Sequence, residues 1–177
     1  MIKKIFFFVF VLGLASCNQR EESKANTELL YFDIKGFFAK ESLRLKKTSP
    51  LVNKEVLING IAETKQIRIA DWEKEFTIFT NADINKASWK GSFKSVKNSQ
   101  FEHYTSNNKK IPVKDVLIEK ADDKRVKKVV IIISTKNILY TSGDTLFYYP
   151  DSLYKIVKHQ KIRLLSPKDY QITGKIR

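Results

Sequence analysis

The residues best suited to bind a ligand lie in one basic stretch near the end of the chain. Residues 153–165 read as a long strand, which places Lys155, Val157, His159, Lys161 and Arg163 on one face. Basic side chains in such a row can bind phosphate or carboxylate groups. The same alternation is also typical of the solvent face of an antiparallel strand. The pattern therefore predicts a candidate anion-binding surface, with a plain solvated face as the alternative.

A catalytic centre has less support. The chain contains two histidines, His103 and His159, and a single cysteine, Cys17. The motifs of zinc proteases, of hydrolases with a nucleophile elbow, of P-loop proteins and of dinucleotide-binding proteins are all missing from the sequence. We therefore expect no enzyme, no metal and no cofactor. A hydrolase remains a third alternative, and it requires one histidine to contact both an acid and a hydroxyl.

An aromatic stripe is the second candidate for ligand binding. Trp72, Phe76 and Phe79 follow one another at helical spacing, directly after Asp71, which is a typical helix N-cap. Such a stripe forms either the seam between a helix and a sheet or the wall of an apolar cavity. Trp72 therefore joins the basic strand as a candidate ligand-binding residue.

The beginning of the chain has the layout of an export signal. Two early lysines precede ten uncharged residues, 5–14, a length that fits a signal-peptide core. It is too short to span a bilayer, which needs about 20 residues. Leu14-Ala15-Ser16-Cys17 then resembles the lipobox of bacterial lipoproteins, whose cysteine carries a diacylglyceryl group. The resemblance implies that residues 1–16 are a removed type II signal peptide and that Cys17 is lipidated.

Further segments resemble a family of small outer-membrane lipoproteins of unassigned function. The resemblance implies an address in the cell envelope, as an outer-membrane lipoprotein that faces the periplasm or the cell surface. It implies membrane attachment through the N-terminal lipid, palmitate included, and it implies no activity. The segments are YFDIKGFF (31–38), NG (59–60), DW (71–72), ADINK (82–86) with Trp89, and YPDSLY (149–154).

The charge of the chain favours anionic partners. The formal net charge is +14, and removal of the two lysines in residues 1–16 leaves +12. Residues 124–177 alone carry twelve Lys and Arg against three Asp, a local +9. A field of this sign attracts anions and accelerates their arrival. For an exported protein the expected partners are anionic lipid, glycan or acidic protein, and not nucleic acid. A solvated lysine-rich surface is the alternative.

The rest of the chain predicts one domain after a tether. Residues 17–27 are polar and read as a lipidated flexible tether, and residues 28–177 as a single α+β domain. Thr27 is predicted to cap a helix that reaches about Lys47, and Asn59-Gly60 to form a tight hairpin.

From residue 91 onward the sequence predicts one strand after another. Residues 129–133 form an apolar run typical of a strand covered on both faces, and residues 142–144 read as a hairpin turn. The predicted fold is α+β. N-terminal helices pack on a curved antiparallel β-sheet, a meander that could close into half a barrel.

Two main hypotheses about function follow. The first is a non-enzymatic, membrane-anchored binding protein for an anionic or amphiphilic ligand such as lipid or glycan. It predicts an apolar pocket of a few hundred Å³ near the Trp72 helix. The second is a scaffold or interaction subunit of an envelope complex. It predicts a packed core and an exposed apolar patch rimmed by lysine.

Overall fold

The computed structural model describes residues 29–177, which form a nine-stranded antiparallel open sheet with a few short helices. The helices are α1 (Ile34–Thr48), α2 (Trp72–Glu75) and α3 (Thr77–Thr80), with a 3₁₀ turn at Ala87–Trp89. The strands are β1 (Leu51–Ile58), β2 (Ile61–Arg68), β3 (Lys94–Lys97), β4 (Phe101–Thr105), β5 (Val113–Lys120), β6 (Val126–Lys136), β7 (Tyr140–Tyr149), β8 (Leu153–Ile162) and β9 (Lys168–Ile176). The antiparallel sheet and the mixture with helices are as predicted. The predicted signal peptide, Cys17 and the tether lie outside the described residues.

Helix α1 begins later than predicted. Its N-cap is Asp33, whose carboxylate accepts a hydrogen bond of 2.8 Å from the backbone N–H of Gly36. The prediction of a helix from Thr27 is wrong for residues 29–33. The backbone N–H of Tyr31 donates to the side chain of Asn85, and that of Phe32 donates to the hydroxyl of Tyr104. These contacts with distant residues replace the helical hydrogen bonds.

The hairpin at Asn59-Gly60 is confirmed. Both residues have positive φ, 49° and 89°, as a two-residue hairpin turn requires. Strand β1 of this hairpin also pairs with β9, so the sheet order is β2-β1-β9-β8-β7-β6-β5-β4-β3. The sheet is therefore a meander from β3 to β9, with the early β1–β2 hairpin added at its far edge.

The turn predicted at residues 142–144 is wrong. These residues lie inside β7 and pair with both β6 and β8. The chain reverses earlier because the Asn137 side chain accepts hydrogen bonds from the backbone N–H groups of Leu139 and Tyr140. An Asn side chain that satisfies two following amides is a common way to begin a turn.

The core lies on one face of the sheet. Phe38 of α1 contacts the rings of Phe79 at 4.7 Å and Tyr148 of β7 at 5.1 Å. Phe76, between α2 and α3, contacts Tyr154 of β8 at 5.8 Å. On the other face Ile132 is 40% exposed, so the prediction that residues 129–133 are covered on both faces is wrong. No helix within residues 29–177 has the length and apolarity needed to cross a bilayer.

Candidate functional site

A groove of about 720 Å³ lies between the short helices and three strands of the sheet. Helices α2 and α3 form one wall, and β1, β8 and β9 supply the other. We call it the helix–sheet groove. It is lined by Lys54, Asp71, Lys74, Glu75, Thr77, Ile78, Asn81, Ile156, Lys158, Gln160, Tyr170 and Ile172.

The floor of the groove is apolar. Ile156 of β8 lies directly opposite Ile172 of β9, and the next pair along the same face is Lys158 with Tyr170. Ile78 of α3 lines the groove from the helical side. The groove therefore offers a strip of aliphatic and aromatic surface that a hydrocarbon chain or a sugar face can contact.

Glu75 organises one side of the groove. Its Oε1 atom accepts hydrogen bonds from Lys54 Nζ at 2.6 Å and from the hydroxyl of Tyr154 at 2.5 Å. Burial of the ring and the hydrogen bond to Glu75 raise the pKa of Tyr154, which therefore stays a neutral donor. A Cβ atom at Gly174 would overlap the Tyr154 ring, so glycine at this position lets the ring lie against β9.

A buried carboxylate on β7 places Lys158 at the groove. Asp144 of β7 is only 8% exposed, and its Oδ1 atom accepts a hydrogen bond of 2.6 Å from Ser142 Oγ. Its Oδ2 atom lies 3.3 Å from Lys158 Nζ. A buried carboxylate needs such partners to offset the loss of its hydration. This Ser-x-Asp pair was missed in the sequence because residues 142–144 read as a turn.

The groove carries an excess of positive charge. Three ammonium groups line it, those of Lys54, Lys74 and Lys158, against two carboxylates, those of Asp71 and Glu75. Asp71 accepts a hydrogen bond of 2.9 Å from the backbone N–H of Lys74 and so caps α2, as predicted. Within residues 29–177, Lys54 and Lys158 have carboxylate partners, whereas the Lys74 ammonium has none within 4.0 Å. Lys74 is thus the cation most readily available to an anionic ligand.

The basic residues predicted as a site lie elsewhere. Lys155, His159 and Lys161 share the face of β8 opposite to Tyr154 and Ile156, and therefore point away from the groove. Arg163 lies beyond the end of β8, in the turn that leads to β9. The structure does not bring these four residues together with Trp72.

Trp72 is a core residue beside a smaller cavity. Its ring is buried against Phe76 and Tyr154. The indole Nε1 atom and the hydroxyl of Ser42 are buried without a hydrogen-bond partner in the described part of the chain. Both residues line a cavity of about 300 Å³, which is large enough for water.

Each histidine contacts one carboxylate. His103 Nε2 lies 2.8 Å from Asp115 Oδ2, and His159 Nδ1 lies 2.5 Å from Asp169 Oδ1. Neither ring is hydrogen-bonded to a hydroxyl of residues 29–177, which is the contact that the hydrolase hypothesis requires. In the same residues no group of three or more His, Cys, Asp or Glu side chains is arranged to hold a metal ion.

Known proteins offer no further guide to this site. Comparison of the chain with protein-family models, with curated proteins and with solved structures found no match. The groove is therefore interpreted from its own residues and geometry.

Proposed function

We propose that the protein is a membrane-anchored envelope lipoprotein that binds an anionic amphiphile, such as a lipid or a glycolipid, without acting on it chemically. The observation that carries the proposal is the helix–sheet groove. Its volume of about 720 Å³ falls within the usual range of ligand sites. In this proposal the helices pack on a curved sheet and leave the groove between the two layers.

The chemistry of the groove suits a ligand with two parts. The Ile156–Ile172 floor offers an apolar surface from which a hydrocarbon chain displaces water. The ammonium groups of Lys74 and Lys158 are placed to meet a phosphate or carboxylate headgroup. Asp144 holds Lys158 in place, so part of the charged end exists before the ligand arrives.

Filling the groove is expected to weaken binding at least tenfold. The change is Ile172→Trp, which adds a bulky ring on the floor. The measurement is the affinity of the domain that begins at residue 24 for a fluorescent fatty acid below its micelle concentration. The matched control is Ile132→Trp on the opposite face of the sheet, where Ile132 is already exposed. Equal affinities of the two variants would show that the fatty acid does not bind in the groove.

Charge reversal in the same assay tests the headgroup contact. Lys74→Glu should weaken binding of the fatty acid several-fold at low salt, and the loss should shrink as salt screens the charges. Lys155→Glu makes the same change in net charge on the opposite face, so it should leave the affinity close to that of the parent domain.

One observation supports the alternative that the protein is a scaffold subunit of an envelope complex. This alternative requires an exposed apolar patch rimmed by lysine. Exposed apolar side chains, among them Ile138, Leu164 and Leu165, lie at one end of the sheet near the exposed Lys161 and Lys168. A scaffold does not need a groove with an apolar floor and an available cation. For this reason we favour the binding protein.

Attachment through Cys17 is the part of the proposal that rests on the sequence alone. We expect the chain isolated from bacterial membranes to begin at Cys17 and to carry the added mass of a diacylglyceryl group and a further acyl chain. Cys17→Ala should leave residues 1–16 in place and remove the added mass. Intact-mass spectrometry of both chains tests this, and an unmodified Cys17 in the parent chain would refute the lipobox.

A further inference from the structure

Three hairpin turns at one end of the sheet carry most of the exposed large apolar side chains of residues 29–177. The turns join β1 to β2, β6 to β7, and β8 to β9. Seven of the twelve such side chains lie on or beside these turns, and we call them the apolar tip. They are Ile58, Ile61, Ile138, Leu139, Ile162, Leu164 and Leu165.

Hydrogen bonds between the turns make the apolar tip one surface. The backbone N–H of Arg163 donates to the carbonyl of Leu139 at 2.8 Å, which joins the second turn to the third. The backbone N–H of Asn59 donates to the carbonyl of Asp169 at 3.0 Å, which joins the first turn to the start of β9. The apolar side chains therefore do not belong to three independent loops.

Two side chains of the apolar tip are almost completely exposed to solvent. Leu164 is 96% exposed and Ile138 is 82% exposed. Leu164 also has φ of 70°, in the left-handed region that is unfavourable for leucine. At 96% exposure the Leu164 side chain gains little from packing within the described domain, and an exposed apolar side chain on a strained backbone is characteristic of a binding surface.

Basic side chains flank two of the three turns of the apolar tip. Lys136, Lys161, Arg163 and Lys168 are exposed in or beside the β6–β7 and β8–β9 turns, and the nearby carboxylate of Asp169 is hydrogen-bonded to His159. Apolar residues surrounded by lysine and arginine are the composition of protein surfaces that enter the headgroup layer of an anionic membrane.

The described chain begins near the start of β3, which lies at the same end of the sheet as the apolar tip but at the edge opposite the β1–β2 hairpin. Leu29 and Leu30 are exposed and lie against the segment that contains Asn85 and Lys86. This segment leads into β3, whose first residue pairs with the last residue of β4, at the end where β6 meets β7. A lipid on Cys17 would be twelve residues away from Leu29, a reach of at most about 40 Å.

We propose that the apolar tip inserts into the headgroup region of an anionic bilayer, so that the domain stands end-on on the membrane. This contact does not depend on a ligand in the groove. Gln160 and Tyr170 line the groove and lie only two residues from Ile162 and Lys168, about 7 Å along their strands. One end of the helix–sheet groove therefore lies close to the bilayer surface.

Tryptophan quenching in the full chain tests the insertion. Ile138→Trp and Leu164→Trp place the probe in the tip, and Leu43→Trp places it on α1, at an exposed position away from these turns. The chains are reconstituted in vesicles of phosphatidylglycerol and dibrominated phosphatidylcholine, and the signal of the parent chain is subtracted. We expect quenching at positions 138 and 164 to exceed that at position 43 at least threefold.

The contribution of the basic residues beside the apolar tip is tested in the same vesicles. Lys161→Glu with Arg163→Glu should reduce quenching of the tip probe at least twofold, whereas Lys46→Glu with Lys47→Glu, in the last turn of α1, should not. Equal quenching at positions 138, 164 and 43 overturns the proposal and leaves the tip as a docking surface for another protein. If quenching at the tip is strong and Lys161→Glu with Arg163→Glu does not reduce it, the requirement for an anionic bilayer is overturned.

Discussion

Replacing Phe38 by alanine is expected to destabilise the domain by about 3–5 kcal/mol. Phe38 is fully buried, and its ring lies between 4.7 and 5.2 Å from the rings of Phe37, Phe76, Phe79 and Tyr148. Alanine would leave a cavity among residues that belong to both the helices and the sheet, so it cannot collapse locally. Urea unfolding followed by circular dichroism measures the loss.

The matched control lies on the same helix. Leu43→Ala removes a side chain that is 62% exposed, so the free energy of unfolding should change by less than about 0.5 kcal/mol. Similar losses for the two variants would mean that Phe38 is not a central contact of the core. A large loss for Phe38→Ala alone supports the aromatic cluster as the join between α1 and the sheet.

Local patterns in the sequence were enough for several elements. Asn59-Gly60 predicts its hairpin because both residues adopt positive φ without strain. Asp71 predicts the start of α2, which the structure confirms. The spacing of Phe76 and Phe79 predicts a buried stripe, and both side chains are fully buried. These features depend on residues close together in the chain, which is why the sequence reveals them.

Features that depend on distant residues could not be predicted. The pairing of β1 with β9 joins Ile58 to Tyr170 across more than a hundred residues, and no local signal indicates it. The late start of α1 depends on Asn85 and Tyr104, which take the backbone N–H groups of residues 31 and 32. Tertiary hydrogen bonds of this kind override helix signals.

The candidate site illustrates the same limit. Alternation along β8 correctly groups Lys155, His159 and Lys161 on one face, but it does not say which face lines the groove. The opposite face begins with the buried Tyr154 and continues with the polar Lys158 and Gln160, both of which line the groove. A strand whose buried face becomes polar toward one end is typical of a site at the edge of a core, and this signal could have indicated Lys158.

Raising the pH above about 10 is expected to destabilise the domain steeply. Burial raises the pKa of three tyrosines above its ordinary value, and a hydrogen bond from each hydroxyl to a carboxylate raises it further. A raised pKa in the folded state stabilises the fold below the unfolded pKa, and this contribution is lost as the pH rises toward the folded pKa. Each tyrosine then lowers the free energy of unfolding by about 1.4 kcal/mol per pH unit. The pairs are Tyr104 with Glu102, Tyr148 with Glu41, and Tyr154 with Glu75.

The titration has a direct spectroscopic readout. Three of the seven tyrosines should ionise only as the domain unfolds, so part of the tyrosinate absorbance should appear together with the loss of circular dichroism. Tyr154→Phe removes one of the three titrating hydroxyls. Above pH 10 the free energy of unfolding of this variant should therefore fall less steeply, by about 1.4 kcal/mol per pH unit. Ionisation of all seven tyrosines while the domain remains folded would contradict the hydrogen bonds to the three carboxylates, including the one by which Glu75 and Tyr154 shape the groove.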